Sequence, residues 1–350
     1  RIIAQNFYIY GLIKGLIFVN TLNKQKMKVK SFCTIVCLLG VSAIFTSGLR
    51  AQDRNEVIAV YNEGAKAIQT DVPAAITAFE KVVELSDKVG ETANDLKQKA
   101  VQVLPGLYYK VAAAAYNEKK PAAEIIAAAK LAGTMADKYG SKTHGDNSKK
   151  ILVNGYYKMA TEFFTANDYD NAMLAFDSVL TLNPDHIASI YNKALIYKNR
   201  DEADLFEQTI DQFLAKLDPA KDADKAAQAK GAALEYFRAA GSKANSANKL
   251  DEALALLNRA AKYGDDKTMF YFFADVYNKK NSFTEGAEYA QKGLEMETGD
   301  AEAKAMFYYQ LAVAQVGKGD TAAACESFRN ALYGPFAEAA KAQRTNLKCQ

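Results

Sequence analysis

Large apolar residues recur three and four positions apart along most of the chain, the spacing that gathers them on one side of an α-helix. Very small residues interrupt them at fixed offsets. Residues 153–186 set out the unit: Tyr156, Met159 and Phe163 with Ala160 among them, a polar break at Asn167-Asp168-Tyr169-Asp170, then Ala172, Phe176 and Val179, and finally Pro184. The break predicts a turn between two helices, with Asp and Asn able to cap the second. Counted within the unit, large side chains hold positions 4, 7, 11 and 24 and small ones positions 8 and 20, while Val179 is a bulkier occupant of position 27. The reason is packing. Where the two helices of a hairpin cross closely only a small side chain fits, and bulky neighbours fill the space around that contact and toward the next unit.

The same order returns at 234–267 (Phe237, Ala240, Gly241, Ala244, Ala253, Leu257, Ala260) and at 267–300 (Phe270, Phe273, Ala274, Tyr277, Gly286, Ala290, Gly293). It returns at 305–338 (Tyr308, Leu311, Ala312, Ala324, Phe328, Ala331), where Gln315 stands at position 11 and Gly319-Asp320 marks the turn. Residues 187–222 form an irregular, stretched unit with Ala194, Tyr197 and Leu205-Phe206. Upstream, 56–88 holds Gly64, Ala75, Phe79 and Val82, and 95–138 reads as two longer helices broken near Lys119-Lys120-Pro121. The polar stretch Gly140–Ser148 predicts a loop over 141–152, Asp218-Pro219 opens a second boundary, and 339–350 reads as a C-terminal tail.

Helix–turn–helix units of roughly 34 residues with this alternation of large and small positions resemble the tetratricopeptide-repeat family. The resemblance covers 153–338, and 52–140 as irregular repeats of the same kind. It implies an all-α fold, a right-handed α-solenoid of stacked helix–turn–helix repeats, and a non-catalytic scaffold or adaptor that binds a partner protein or peptide on its concave face. In this family positions 2, 5, 9, 12 and 13 of the first helix line that face. The resemblance therefore points to a groove built from Tyr157, Thr161, Phe164, Tyr191, Lys198, Asn199, Arg238, Asn245, Tyr271, Asn278, Lys279 and Tyr309. Position 5 is Tyr in four of five units, and tyrosine offers a large apolar area and a hydroxyl at little entropic cost. The competing reading is that these rings pack on their own neighbours. The family's carboxylate clamp needs Lys at position 5 and Asn at position 9, and neither is present, so recognition of a chaperone's acidic C-terminus is not implied.

The N-terminus changes the picture. From Met27 a basic stretch, an apolar run from Phe32 to Phe45 and Leu49-Arg50-Ala51 follow the plan of a secretory signal peptide over 27–51, with cleavage after Ala51. Export to a bacterial periplasm follows as an expectation, with no membrane insertion after cleavage. Cys33 and Cys37 lie inside the apolar run, which disfavours a lipid anchor. Residues 1–26 read as an upstream extension outside the fold or as a first membrane segment. The complete signal beginning at Met27 favours the extension. Residues 1–51 hold seven Lys and Arg and no Asp or Glu, leaving 37 of the 44 basic residues against all 41 acidic ones. A mildly acidic body without a long Lys/Arg cluster gives no electrostatic footprint for nucleic acid.

Chemistry is sparse. His144 and His186 have no Cys or His at metal-ligand spacing, so no metal or cofactor is implied. There is no Gly-x-Ser-x-Gly elbow, and Gly317-Lys318-Gly319 lacks the rest of a phosphate loop and falls at a repeat turn. The chain is read as no enzyme. A helical accessory module for cell-wall or glycan processing, touching glycan through the same tyrosines, is the alternative to the protein-binding scaffold. An oxidising compartment permits a Cys325–Cys349 disulfide; the plainer reading makes Cys325 a small core residue and leaves Cys349 on the tail.

Overall fold

The computed structural model describes residues 54–350. The expectations for the extension 1–26 and the signal peptide 27–51 lie outside those residues. Fifteen α-helices and two short 3-10 turns make up the described chain, with no strand among the described residues. The first four are α1 (Arg54–Ala67), α2 (Val72–Val89), α3 (Asn94–Asn117) and α4 (Ala122–Lys138). They are followed by α5 (Lys142–Thr165), α6 (Tyr169–Leu182), α7 (Ile187–Asn199), α8 (Ala203–Ala215), α9 (Ala223–Ser246) and α10 (Leu250–Ala261). The last five are α11 (Lys267–Lys279), α12 (Phe283–Met296), α13 (Ala301–Gly317), α14 (Thr321–Asn330) and α15 (Ala337–Asn346). Each helix packs on the next through a short connection, the plan of an all-α solenoid of stacked hairpins.

The turns explain why each hairpin closes where it does. Asn167, Asp201, Asn248, Asn281 and Gly319 all take positive φ, between 57° and 80°, and all occupy position 15 of their units. Asn, Asp and Gly visit this left-handed region at least cost. The following amide then reaches back five residues, as in Asp168 N to Phe163 O (2.9 Å) and Ser282 N to Tyr277 O (2.9 Å), which closes off the last turn of the first helix. Asp168 and Asp320 cap the second helices of their hairpins through Asn171 N (3.3 Å) and Ala323 N (3.0 Å), satisfying amides that the helix itself cannot.

Small residues sit at the crossings as the pattern requires. Ala160 and Ala172, Ala274 and Gly286, and Ala312 and Ala324 are buried pairs. A Cβ on Gly241 would lie 2.8 Å from Cγ of Leu257 and 3.3 Å from the Ala253 carbonyl. Around them Phe79, Phe176, Phe206, Phe237, Phe273, Phe307 and Phe328 are fully buried, each contributing roughly 1.5–3 kcal/mol of hydrophobic stabilisation. The stretched unit departs from the rule: Phe206 holds position 20.

Two expectations are corrected. The loop placed at 141–152 is the first half of the 24-residue α5. Its polar residues face outward, while Ser148 and Ile151 are buried and Gly155 packs tightly against Ile126, 2.9 Å from where its Cβ would be. α5 thereby carries Ile151 into the core of α1–α4 and Ala160 into the core it shares with α6. The tail expected over 339–350 is mostly helix. α15 buries Ala340 and joins Leu347 to the last core, and a Cys325–Cys349 disulfide ties its end to α14. The plainer reading of a free tail thiol gives way to the bridge because α15 folds back and brings the two Cα atoms to 5.5 Å.

The stack is uneven around α7. First helices of neighbouring units touch where α9 meets α11 and α11 meets α13, but α7 barely touches α5 or α9. The junction from α8 to α10 shares one apolar core, with Phe206 and Ile210 beside Phe237 and Leu257, and adds a charge network at its edge. Arg259 donates to Glu207 (2.7 Å) and to the Ala203 carbonyl (2.9 Å), pairs with Asp204 (3.0 Å), and lies over the Phe237 ring at 4.3 Å. Lys262 also pairs with Glu207, and Tyr263 donates to Asp211 (2.9 Å).

Candidate functional site

The first helices α5, α7, α9, α11 and α13 carry the twelve residues assigned to the groove, and the structure places most of them in contacts between successive units. Tyr157 is half-buried, with its ring 4.9 Å from His186 and 6.1 Å from Phe176, and its hydroxyl accepts from Asn192 (3.4 Å). Tyr191 packs on Phe213 at 5.0 Å, and burial raises its phenol pKa. Tyr271 meets Phe272, Phe307 and Phe336, and Tyr309 meets Phe328 and Phe336; burial raises both phenols, more than any charge near them.

A rule underlies these contacts. In three of the five units the side chain at position 5 is covered by the residue that begins the next unit's first helix. His186 covers Tyr157, Asp266 accepts from Arg238 (2.7 Å), and Phe336 covers Tyr309. His186 and Asp266 also cap the helices they begin, through Ser189 N and Met269 N.

The polar groove residues form a ladder. Asn245 donates to Asp275 (2.7 Å), Gln310 donates to the other oxygen of Asp275 (3.1 Å), and Asn278 donates to the side chain and backbone carbonyl of Gln310 (2.9 Å each). Lys279 closes it by donating to Asn245 (2.9 Å) and pairing with Asp275 (2.7 Å). Asn245 and Asn278 are buried. Groups so paired fix the spacing of α9, α11 and α13 and are not free to meet a ligand without breaking those bonds. Sequence reasoning placed Asn245, Asn278 and Lys279 on the face but missed that Asp275 and Gln310 answer them one repeat later.

The remaining groove residues are more open. Thr161 donates to its own helix at the Lys158 carbonyl (2.9 Å), Phe164 packs on Tyr169 at 5.9 Å, and the exposed Asn199 donates to the Tyr169 hydroxyl (2.9 Å). Lys198 has no side-chain partner among the described residues and stands at the edge of a cleft of about 630 Å³. Among the described residues there is no group of three or more His, Cys, Asp or Glu side chains that could hold a metal ion, and no helix is long and apolar enough to cross a membrane.

Residues 153–186 match the family model described as "Tetratricopeptide repeat". No curated protein matches the chain. Among solved structures the chain is similar to the MamA protein (17% identity over 57% of this chain and 96% of that one, TM-score 0.32). It is also similar to YrrB, described as a TPR protein with an unusual peptide-binding site (16% identity, 55% of this chain and 91% of that one, TM-score 0.33). A tetratricopeptide repeat protein from Parabacteroides merdae matches 84% of this chain and 99% of its own length at 15% identity and TM-score 0.27. Likenesses this distant carry no weight on function. The matched unit spans the second half of α5 and all of α6; its left-handed turn recurs in all four units that follow and its small-residue crossing in the last three. Residues 153–186 thus match a tetratricopeptide repeat, set within an all-α chain of stacked helical hairpins.

Proposed function

We propose that this protein is a non-catalytic adaptor that holds a partner protein or an extended peptide along the face shared by α5, α7, α9, α11 and α13. The observation that carries this reading is the Asn245–Asp275–Gln310–Asn278 ladder. It locks three successive first helices, α9, α11 and α13, in register, so that this part of the face is a preformed surface, and the more open Thr161, Lys198 and Asn199 extend the face along α5 and α7. A preformed surface lowers the ordering cost of binding. Placement in an oxidising envelope compartment is supported by the signal-like segment 27–51 and by the Cys325–Cys349 bridge.

Site-specific photo-crosslinking in cells tests the face. A crosslinker at Thr161 or Asn199 should capture a partner protein, and one at Asn258, exposed on the second helix α10, should not. Equal capture from both positions, or capture from neither, overturns the assignment. Sequencing the N-terminus of the mature protein tests export; a chain that retains residues 27–51 would refute it.

A further inference from the structure

Two clefts open near α7, where it makes few contacts with α5 and α9. The one facing α9 is lined by Lys198, Lys243 and Lys249 against Asp201, Glu235 and Glu252, a balanced set. The one facing α5, about 660 Å³, is different. Lys149 and Lys150 lie three and four residues after Asp146, and Val153 and Asn154 one turn further on, so one side of the first half of α5 forms a wall. Leu182, Asn183 and His186 of the α6–α7 turn form the other.

The cleft's charge is positive within a body whose charge is mildly negative. Its only carboxylate, Asp146, is already paired with Lys142 at 2.7 Å, which holds its pKa below the ordinary carboxylate value. Lys149 and Lys150 are exposed and make no close ion pair, though both add to the positive field at Asp146; Lys150 reaches only the Asn147 amide oxygen at 3.5 Å. Asn154 makes no side-chain hydrogen bond, and the Asn183 amide uses only its oxygen, accepting from Asp185 N at 3.2 Å. Two unpaired cations and two free amide donors therefore face one opening. The wall exists because α5 begins well before the repeat pattern does, so Asp146, Lys149 and Lys150 precede the unit and only Asn154, at position 2, belongs to the positions that line the groove.

We propose that this cleft receives an acidic segment of the partner, with carboxylates paired to Lys149 and Lys150 and hydrogen-bonded by the Asn154 and Asn183 amides. The proposal rests on the adaptor reading and extends it by naming the partner's chemistry. His186 connects the two sites, since it lines the cleft and covers Tyr157. An acidic stretch here would run on toward the face at Thr161.

The test uses the full mature chain and an acetylated hexaglutamate peptide, with the ring protons of His186 followed by NMR. Hexaglutamate should shift the His186 signals, and added salt should weaken the effect because the pairs are solvent-exposed. The double reversal Lys149→Glu/Lys150→Glu should weaken binding by about tenfold or more, with an unchanged melting temperature because both side chains are exposed. Reversal of another exposed pair, Lys119→Glu/Lys120→Glu, should leave the titration unchanged. An equal response in both reversed variants, no movement of His186, or an equal effect of inorganic phosphate would overturn the proposal. Those outcomes leave the crosslinking test of the adaptor face independent, so failure of either reading is seen separately.

Discussion

A Cβ added to Gly293 would stand 2.2 Å from Cε1 of Phe307. Gly293 lies on α12 and Phe307 on α13, so this contact is the seat of one unit against the next, and Phe307 is fully buried with nowhere to move. Gly293→Ala should lower stability by about 1–3 kcal/mol through overpacking, despite the better helix propensity of alanine. Gly231 on α9 has no atom within 4 Å of where its Cβ would be. Gly231→Ala should therefore raise stability by up to about 1 kcal/mol. Melting temperatures moving in opposite directions would bear this out, and a stabilised Gly293→Ala would contradict it.

The ladder predicts an asymmetry. Asn278→Ala leaves both the side chain and the backbone carbonyl of Gln310 without this buried donor, at a cost of about 1–3 kcal/mol. Gln310→Ala should cost less, because Asn278 keeps the backbone carbonyl and Asp275 keeps Asn245 and Lys279. Urea midpoints of the two variants rank them; the reverse order would show that the ladder is not centred on Asn278.

His186 should titrate below its ordinary pKa of 6.5, because burial disfavours the charged ring. With a folded pKa below the unfolded one, the unfolded chain binds the proton first. The contribution of this residue to stability is therefore full above pH 6.5 and falls as the pH drops through the folded value. An NMR titration of the ring should give a midpoint below 6.5 that rises toward it in Tyr157→Ala, which uncovers the ring. A midpoint unaffected by that substitution would remove Tyr157 as a source of the burial.

Reduction of Cys325–Cys349 should destabilise the C-terminal end. The bridge closes a segment with a sequence separation of 24, which in the chain-entropy model is worth about 3 kcal/mol. α15 otherwise depends on Ala340, Leu347 and Arg344, which donates to the Cys325 carbonyl. Hydrogen exchange should show lost protection in α15 in Cys349→Ser and unchanged protection in α5 and α11. Loss spread evenly along the chain would mean that the array unfolds as a whole.

How much of this was legible beforehand differs by element. Ala160, Gly241, Ala274 and Ala312 announced the hairpins because a close crossing leaves a mark at one position. Position 15 was legible in kind, since Asn, Asp and Gly recur there, though only Asn167 and Gly319 were read as turns. The start of α5 was hidden, because polar residues on an exposed side of a helix resemble a loop when the buried side is only Ser148 and Ile151. The groove was hardest. Arg238, Asn245 and Asn278 resemble ligand-binding groups until their partners are known, and those partners, Asp266, Asp275 and Gln310, lie 28 to 32 residues away across a unit boundary. Complementary polar pairs about one repeat apart were the available signal.

The Arg259 network has a mechanical consequence. This joint combines two attractions: Ile210, Phe237 and Leu257 belong to one oily core that runs through it, while Arg259, Lys262, Glu207 and Asp204 clasp its rim. Dissolved ions hardly reach the core or the sheltered Arg259–Glu207 pair and screen chiefly the outer charges of Asp204 and Lys262, so rising salt frays the rim of this joint while its seat stays closed.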